Sequence, residues 1–226
     1  MEDGKVMIKI IYEDNHLLVV EKPVNIPVQA DDSKDKDLLT MLKEYKKNKY
    51  NKPGNVYLGL VHRLDRPVGG VMVFAKTSKA ASRLSEQVRC HKLKKIYQAI
   101  VFGKINESGE LKDKLLKDTK TNIVKVDENG KEAILNYHLD NYNKENNLSL
   151  ITINLKTGRS HQIRVQLSHA GHPLYGDQKY NKSVVKSQIC LWAIELSLEH
   201  PITKEILTFK SNYPNSYPWN IFNKKN

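Results

Sequence analysis

The sequence predicts an α+β fold with a large, mainly antiparallel β-sheet flanked by helices. Three observations predict it: apolar and β-branched runs outnumber helical patterns, turn residues between neighbouring runs suit hairpins, and three segments have helical spacing. No repeat, proline-rich linker or low-complexity block divides the 226 residues. We therefore expect a single domain over residues 1–226, with its core at about 12–209.

Strands are predicted where apolar and β-branched residues alternate or run together between turn residues. These segments are 9–23 (two strands around an Asp-Asn turn, ended by Pro23), 56–64, 70–77, 94–103, 132–142, 147–158, 189–201 and 205–210. We expect 132–142 and 147–158 to form an antiparallel pair, because the polar turn NKEN separates them.

Helices are predicted over three segments with apolar residues at helical spacing. These are the lysine-rich 35–48, then 78–91, with its serine start signal Ser78, and 160–171. In the last segment we expect Ser160 to be the N-cap and Gly171 to supply the C-terminal turn. Its core face is predicted to be Ile163, Leu167 and Ala170, and the opposite face His161, Arg164 and Ser168.

The charge is strongly basic. Lysine and arginine total 37 against 25 acidic residues, which gives a net charge of +12 and a pI near 9.5. This balance favours a polyanionic partner, and nucleic acid above all, because contacts with phosphates release counterions. The alternative is a chain rich in surface lysine for compositional reasons, as in KKNKYNK at 46–52. We expect no membrane partner, because no basic segment carries a long apolar helical face.

The expected cellular compartment rests on three features that the sequence lacks: a signal peptide, a membrane-spanning run and a cysteine motif. The first residues, MEDGKVMIKIIYED, do not form a signal peptide, and no window approaches the roughly 18 apolar residues that cross a bilayer. The cysteines, Cys90 and Cys190, lie in no CxxC motif and near no histidine pair. We therefore expect a cytoplasmic protein without a disulfide framework, zinc site or other metal.

Common catalytic motifs are missing. The sequence has no GxxxxGK[ST] phosphate loop, HExxH, nucleophile elbow or dinucleotide fingerprint. The segment GHPLYGD at 171–177 has the glycine spacing of a phosphate loop but not its lysine. HRLD is unlike the kinase HRD loop, since Leu64 is inserted and no DFG follows.

One acid stands out in LVHRLDRPVGG at 60–70. Asp65 lies between Arg63 and Arg66, ahead of Gly69 and Gly70, in a chain that is already basic. It is either a surface acid paired with its neighbours or a reactive carboxylate whose arginines handle a polyanionic substrate.

Four segments in order decide between these interpretations. They are HRLDRPVGGVMVFAKT at 62–77, KKIYQAIVFG at 94–103, KTGRSHQIRVQLSHAGHPLYGDQKY at 156–180 and ICLWAIELSLEHP at 189–201. In motif order and spacing the chain, from about Tyr12 to Phe209, resembles the RluA-type pseudouridine synthases, which isomerise uridine to pseudouridine in RNA. HRLD alone is a weak signal, but the four segments together are specific.

The resemblance implies a role for three residues. Asp65 corresponds to the catalytic aspartate, and Arg164 to the basic residue that pairs with it and keeps it ionised. Tyr97 corresponds to the tyrosine that packs on the target uracil. The residues alone leave an alternative for two of these roles. Arg164 would then be a solvated helix arginine, and Tyr97 a tyrosine in core or cross-strand packing.

A single carboxylate suits the implied reaction, in which no atom is gained or lost and no redox change occurs. The carboxylate either attacks C1′ of the sugar or helps to expel uracil toward a glycal-like intermediate. A retaining hydrolase needs a second carboxylate nearby, and none is evident in the sequence. We therefore expect an isomerase that uses no cofactor, acts on rRNA or tRNA and is a monomer.

The target base in folded RNA has to be flipped out. Residues expected to contact the RNA or line the pocket include His62, Arg63, Leu64, Arg66, Lys95, Arg159, His161 and Leu191. Lys94 and Lys179 are further candidates along the RNA path. The alternative for Lys94, Lys95, Arg159 and Lys179 is a solvated surface charge, and the alternative for Leu191 is a core residue.

The chain departs from the family pattern at two places. Val68-Gly69-Gly70 stands where many relatives have Thr-Ser-Gly, which predicts looser loop packing with activity intact. Leu191-Trp192-Ala193 stands where relatives usually have Leu-His-Ala. We also do not expect the S4-type RNA-binding module that some relatives carry. The rival hypotheses are a catalytically silent RNA-binding or ribosome-assembly protein on the same scaffold, and a glycosidic-bond hydrolase.

Overall fold

The computed structural model describes residues 7–51, 53–181 and 186–223. In this part of the chain eleven strands, three α-helices and one 3₁₀-helix follow one another. They are β1 (Lys9–Glu13), β2 (Leu17–Lys22), α1 (Leu38–Lys49), β3 (Gly59–Leu60), β4 (Gly69–Ala75), α2 (Ser78–Arg89), β5 (Lys94–Phe102), β6 (Ser108–Asp118), β7 (Ile123–Val126), β8 (Lys131–Asn143), β9 (Leu148–Leu155), α3 (Gln162–His169), β10 (Leu191–Glu199), β11 (Ile206–Lys210) and a 3₁₀-helix (Trp219–Phe222).

The chain divides into two compact units, which are described separately. The first contains residues 1–93 and 196–211, and the second contains residues 94–195 and 212–226. Strand β10 contributes residues to both. The α+β class with mainly antiparallel strands is confirmed, because the strand pairs within both units are antiparallel. The single domain over 1–226 stays a prediction.

In the first unit β2 lies between β1 and β4. The Asp-Asn turn between β1 and β2 is confirmed, because the Asp14 carboxylate accepts the backbone N–H groups of His16 at 2.7 Å and Leu17 at 2.6 Å. The runs LLVV in β2 and VMVFA in β4 are buried throughout, as expected of strands covered on both faces. Helix α2 packs on β4 with Ala80 and Leu84 buried.

In the second unit the strands follow the order β5-β9-β8-β6-β7. The predicted pair at 132–142 and 147–158 is confirmed as β8 and β9, paired from Leu135 opposite Leu155 to Asn143 opposite Leu148. Helix α3 packs on β6 and β7, where Val165 joins a buried cluster with Leu115, Val124 and Ala133.

Several details of the prediction are wrong. Helix α2 is capped by Thr77, whose side chain accepts the N–H of Ala80 at 3.1 Å, so Ser78 is its first residue rather than its cap. In the predicted strand 56–64 only Gly59–Leu60 pairs, with β4. Strands β6 and β7 were not predicted, because their charged residues hide the alternation and only Leu115 and Val124 are buried in them.

Helix α3 differs most from its prediction. Ser160 is not its N-cap; His161 precedes the helix in a left-handed conformation (φ 51°) and caps nothing with its side chain. Every residue over 162–167 is buried, so this stretch of the helix has no solvent face, and Ala170 is exposed rather than in the core. Gly171 does supply the C-terminal turn, with φ 83°.

Candidate functional site

Asp65 lies in the loop between β3 and β4 of the first unit and is partly exposed. Its carbonyl accepts the N–H of Val68 at 3.0 Å, which closes a tight turn. The side chains on either side of the turn, Leu64 and Val68, are buried at 7% and 2% exposure. The loop is therefore anchored in the core on both sides of the carboxylate.

Lys22, the last residue of β2, fixes this loop from below. Its side chain is fully buried, and its Nζ donates to the carbonyls of Pro23 at 2.9 Å, Arg66 at 2.9 Å and Val68 at 2.8 Å. Burial lowers the pKa of Lys22 to about 7, and the negative charge of Asp65 opposes that shift. The sequence analysis missed this residue. Its signal is a lysine at the end of an otherwise apolar run, directly before Pro23.

The expected looser packing at Val68-Gly69-Gly70 is wrong. Val68 is buried, and both its N–H and its carbonyl are bonded, to Asp65 and Lys22. Gly69 and Gly70 begin β4, where Gly70 pairs with Lys22. The apolar side chain at this position thus secures the loop through the core.

The residues around Asp65 differ in what they contact. The Nε2 of His62 accepts the N–H of Val73 in β4 at 3.1 Å, which ties this ring to the strand. Arg63 is exposed and has no hydrogen bond or ion pair to any other described residue. It is therefore the cation of this loop that is open to a ligand.

Arg66 is engaged within the protein. Its guanidinium bonds to the Asp35 carboxylate, its Nε donates to the Asn25 carbonyl at 3.2 Å, and Asp31 lies 3.9 Å away. Both partners of the Arg66–Asp35 pair are exposed, at 41% and 54%. RNA binding by Arg66 therefore requires that its acidic neighbours release it.

In the second unit Tyr97 is buried in β5, at 6% exposure. Lys95 precedes it by two residues in a regularly paired stretch, so the two side chains project from the same face of the strand. Lys94 projects from the other face and is exposed.

Arg164 forms a buried pair with Asp177. Its Nε and Nη2 donate to the two carboxylate oxygens at 2.9 and 2.8 Å, and its side chain is 8% exposed against 1% for Asp177. This forked geometry fixes the plane of the guanidinium. The solvated helix arginine considered for Arg164 is thus wrong.

Asp177 is held by its own segment. One of its carboxylate oxygens also accepts the backbone N–H groups of Lys179 at 2.9 Å and Tyr180 at 3.1 Å. Gly176, directly before it, has φ 74°, and a Cβ there would lie 2.3 Å from the carbonyl oxygen of Gln188. Only glycine fits this position, which explains the second glycine of GHPLYGD.

Tyr180 covers the other side of the arginine. The guanidinium carbon of Arg164 lies 5.2 Å from the centroid of its ring, and its hydroxyl lies 2.6 Å from Nδ1 of His161. The same hydroxyl accepts the N–H of Val124, and the Tyr180 carbonyl accepts the hydroxyl of Ser168. The structure thus brings His161 and Arg164 together around one ring.

Two buried glutamines attach α3 to the sheet. The amide of Gln162 donates to the Ile134 carbonyl at 3.1 Å and to the side chain of Gln166 at 2.9 Å. The amide of Gln166 donates to the carbonyls of Leu111 and Ala133, both at 3.1 Å. Arg164 therefore projects from a helix that directional hydrogen bonds hold on both sides of it.

The remaining candidates have ordinary structural contacts. The Nε of Arg159 donates to the Glu132 carbonyl at 2.9 Å, and Nζ of Lys179 donates to the Asn122 carbonyl at 2.9 Å. Leu191 and Trp192, at the start of β10, are buried at 4% and 7% exposure. The catalytic or binding roles predicted for these and the other site residues stay predictions.

The described part of the chain has neither a metal-ligand cluster nor a helix suited to a membrane. It contains no group of three or more His, Cys, Asp or Glu side chains that could hold a metal ion. None of its helices has the length and apolar character to span a bilayer. Cys90 is an exposed free thiol, and Cys190 a buried one.

A protein-family model matches much of the chain. The model described as RNA pseudouridylate synthase matches residues 16–169. The matched stretch contains Asp65, Tyr97 and Arg164, but ends before Asp177.

Curated relatives carry related names. The chain is 35% identical over 185 residues to "Ribosomal large subunit pseudouridine synthase C" of Buchnera aphidicola subsp. Acyrthosiphon pisum, which is 80% of this chain and 56% of that protein. It is 32% identical over 230 residues to "Ribosomal large subunit pseudouridine synthase D" of Pseudomonas aeruginosa, covering 94% and 70%. It thus spans little more than half the length of the first relative.

Among solved structures, "Human RNA Pseudouridylate Synthase Domain Containing 4" is similar in fold. The TM-score is 0.77 with 22% sequence identity, over 91% of this chain and 88% of that one. "Human RNA Pseudouridylate Synthase Domain Containing 1" gives a TM-score of 0.74, also at 22% identity, over 95% and 87%.

Proposed function

The chain belongs to the RNA pseudouridylate synthase family, and from this premise we propose that it isomerises specific uridines to pseudouridine in structured RNA. The family predicted from the four sequence segments is confirmed. The observation that carries the proposal is the family match over residues 16–169, which includes the HRLD loop. The names of the relatives favour ribosomal RNA as the substrate. Transfer RNA is the other substrate that the sequence analysis predicted.

The proposed chemistry needs one carboxylate, which is assigned to Asp65. The N1–C1′ bond of uridine breaks, the uracil turns, and a C5–C1′ bond forms. The C5 proton is then lost, and N1 regains a proton. Asp65 either attacks C1′ to form a covalent intermediate or helps uracil to leave toward a glycal, and both routes regenerate the free carboxylate. Because the product is an isomer of the substrate, no cofactor is required.

The structure of the loop supports this assignment of Asp65. A carboxylate that reacts with a positioned sugar has to be held in place, since small displacements reduce the rate strongly. Leu64 and Val68 anchor the turn, and the ammonium of Lys22 binds two carbonyls of the same loop, those of Arg66 and Val68. A surface acid in a mobile loop does not require a fully buried lysine beneath it.

In the second unit the proposal assigns roles to Tyr97 and Arg164. Tyr97 is the aromatic residue that packs on the target uracil, and Arg164 is the basic residue of the catalytic set. The support for Arg164 is the buried fork to Asp177, which compensates the charge of its guanidinium and fixes its direction. The alternative reading of Tyr97 as cross-strand packing fits its burial equally, so activity measurements have to decide.

RNA capture is proposed to rest on the basic surface. The net charge of +12 favours a polyanion, and the exposed guanidinium of Arg63 directly precedes Leu64 and Asp65. Arginine can stack on a base and bind phosphate at once, which suits the space that a flipped nucleotide leaves. His62, Leu64, Arg66, Arg159, His161 and Leu191 complete the proposed RNA and pocket contacts. We propose a cytoplasmic monomer without a metal.

The decisive experiment uses Asp65→Asn. RNA carrying 5-tritiated uridine is incubated with the protein, and tritium release and pseudouridine are measured. The wild type should release tritium and form pseudouridine, and Asp65→Asn should do neither while retaining RNA binding and thermal stability. Asp118→Asn, an exposed turn carboxylate in the second unit, is the control with the same charge change.

Two results would contradict the proposal. Tritium retention by the wild type on total cellular RNA would favour the catalytically silent RNA-binding protein. The sequence hint toward that rival is Val68-Gly69, which lacks the two hydroxyls of the family pattern. Release of free uracil with an abasic product would favour a hydrolase. Mapping pseudouridine in cells with and without the gene then identifies the target uridine.

A further inference from the structure

Lys95 is an unusual lysine of the second unit. It is partly buried in β5, yet its side chain forms no hydrogen bond, ion pair or ring contact with any residue in the described ranges 7–51, 53–181 and 186–223. Burial lowers the pKa of its ammonium group. Three other buried or partly buried cations have partners: Lys22 has three carbonyls, Lys76 has Glu13, and Arg164 has Asp177.

The place of Lys95 relates it to the proposed reaction. Its side chain projects from the same face of β5 as Tyr97, two residues further along the strand. On β9 it pairs with Leu155, and the chain then turns through Thr157 and Gly158. The ammonium thus lies beside the residue proposed to pack on the uracil.

Gly158 makes room for this ammonium. A Cβ at residue 158 would lie 3.1 Å from Nζ of Lys95, closer than nine in ten contacts of real Cβ atoms. A side chain at this position would therefore require the ammonium group to move by a few tenths of an ångström. The neighbouring Arg159 donates its Nε–H to the Glu132 carbonyl. The charged group next to Gly158 is therefore the ammonium of Lys95.

Removing an ammonium from water without a compensating partner is costly. A partly buried ammonium without a partner is best explained by a negatively charged ligand that pairs with it when bound. Resting on the proposed function, we propose that Lys95 and the Gly158 turn form a phosphate subsite that binds the RNA backbone next to the flipped uridine. Because such a contact exists in the bound substrate and in the transition state alike, it contributes to affinity rather than to kcat.

The test measures binding of a substrate RNA by each variant across a range of salt concentrations. Lys95→Gln should weaken binding about five- to tenfold at low salt and reduce the slope of log K against log salt by about 0.7 to 1. Its kcat should stay within about threefold of the wild type. Lys117→Gln, which removes an exposed lysine of β6 in the same unit, is the matched control and should change binding less than twofold.

Two further variants separate charge from folding. Lys95→Arg keeps the cation and should retain the salt slope of the wild type. Gly158→Ala also keeps the charge but shifts the ammonium by a few tenths of an ångström, so it should weaken binding less than Lys95→Gln and leave the salt slope unchanged. Equal salt slopes for Lys95→Gln and the wild type would overturn the phosphate subsite. So would a loss of kcat without a loss of affinity. The binding measurements do not depend on turnover. Absence of pseudouridine from the wild-type reaction would therefore contradict the proposed function, whereas the salt slopes of RNA binding would still test the phosphate subsite.

Discussion

The guanidinium of Arg164 and the carboxylate of Asp177 form a two-point hydrogen-bonded pair, 2.9 and 2.8 Å long, with both side chains buried. The two residues are only 13 positions apart, on α3 and on the turn that follows it. Since breaking a buried ion pair leaves an uncompensated charge, we expect Asp177 to stabilise both the unit and the direction of Arg164.

Replacing Asp177 with asparagine tests this pair. The side-chain amide nitrogen of the new residue cannot accept a hydrogen bond from Arg164, so we expect the free energy of unfolding to fall by about 3 kcal/mol. Pseudouridine formation should fall at least tenfold in protein that remains folded, because the guanidinium loses its fixed plane. Chemical denaturation and tritium release measure the two effects, with Asp118→Asn as the exposed control. Unchanged stability in Asp177→Asn would contradict the role given to the pair.

The same variant has a predicted pH dependence. Burial by itself raises the pKa of Asp177, but the hydrogen bonds and charge of Arg164 lower it below its usual value. A carboxyl group with a lowered pKa in the folded state contributes stability above its unfolded pKa of about 4, and that contribution is lost as the pH falls further. The stability difference between wild type and Asp177→Asn should therefore be constant near neutrality and shrink below about pH 4. A difference that grows in acid would refute this account.

Lys22→Met is predicted to destabilise the Asp65 loop. Three carbonyls, those of Pro23, Arg66 and Val68, lose their common donor inside the core. We expect the free energy of unfolding to fall by about 2 to 4 kcal/mol. Hydrogen exchange at the Val68 amide, which is bonded to the Asp65 carbonyl, should become faster.

Lys9→Met is the matched control for that substitution. Lys9 belongs to the neighbouring strand β1, and its ion pair with Glu21 is largely exposed, so little stability should be lost. If Lys22→Met unfolds at the same denaturant concentration as Lys9→Met, the three hydrogen bonds do not hold the loop.

Asp35→Asn is predicted to strengthen RNA binding. The substitution removes a negative charge and releases the guanidinium of Arg66, which Asp35 binds in the free protein. At low salt we expect the dissociation constant to fall about two- to fivefold, and the gain should disappear as salt screens the charges. Fluorescence anisotropy with a labelled substrate RNA measures the dissociation constant and its dependence on salt.

Asp32→Asn serves as the control because Asp32 lies in the same exposed segment and makes no contact with Arg66 in the described chain. A gain confined to Asp35→Asn supports RNA binding by Arg66. Equal gains in the two variants would mean that only the net charge matters and that Arg66 does not reach the RNA.

Local signals in the sequence predicted much of the fold. β2, β4, β5, β8 and β9 are runs of apolar or alternating residues bounded by turn residues, and their packing follows directly from that pattern. β6 was missed because most of its residues are exposed and lysines and acids lie on both of its faces. Tertiary pairing rather than local propensity makes it a strand.

The interactions that hold the site residues could not be predicted in the same way. A helix with charged and polar residues at His161, Arg164 and Ser168 suggests a solvent face, yet the sheet and the 175–180 segment bury it. The partner of Arg164 is set by the Gly176 turn, and the partners of Lys22 are backbone carbonyls, which leave no mark in sequence. Such contacts depend on how separate segments meet.

The buried amides of Gln162 and Gln166 have a consequence for the rotational setting of α3. Apolar packing alone tolerates some turning of a helix about its own axis, because hydrophobic contact is not directional. The amide hydrogen bonds to the carbonyls of Ile134, Leu111 and Ala133 do not tolerate such turning, because they are directional. A rotation of the helix by one residue would move each side chain through about 100°. The two glutamines therefore fix the azimuth of the helix, and with it the heading of every other side chain that the helix carries.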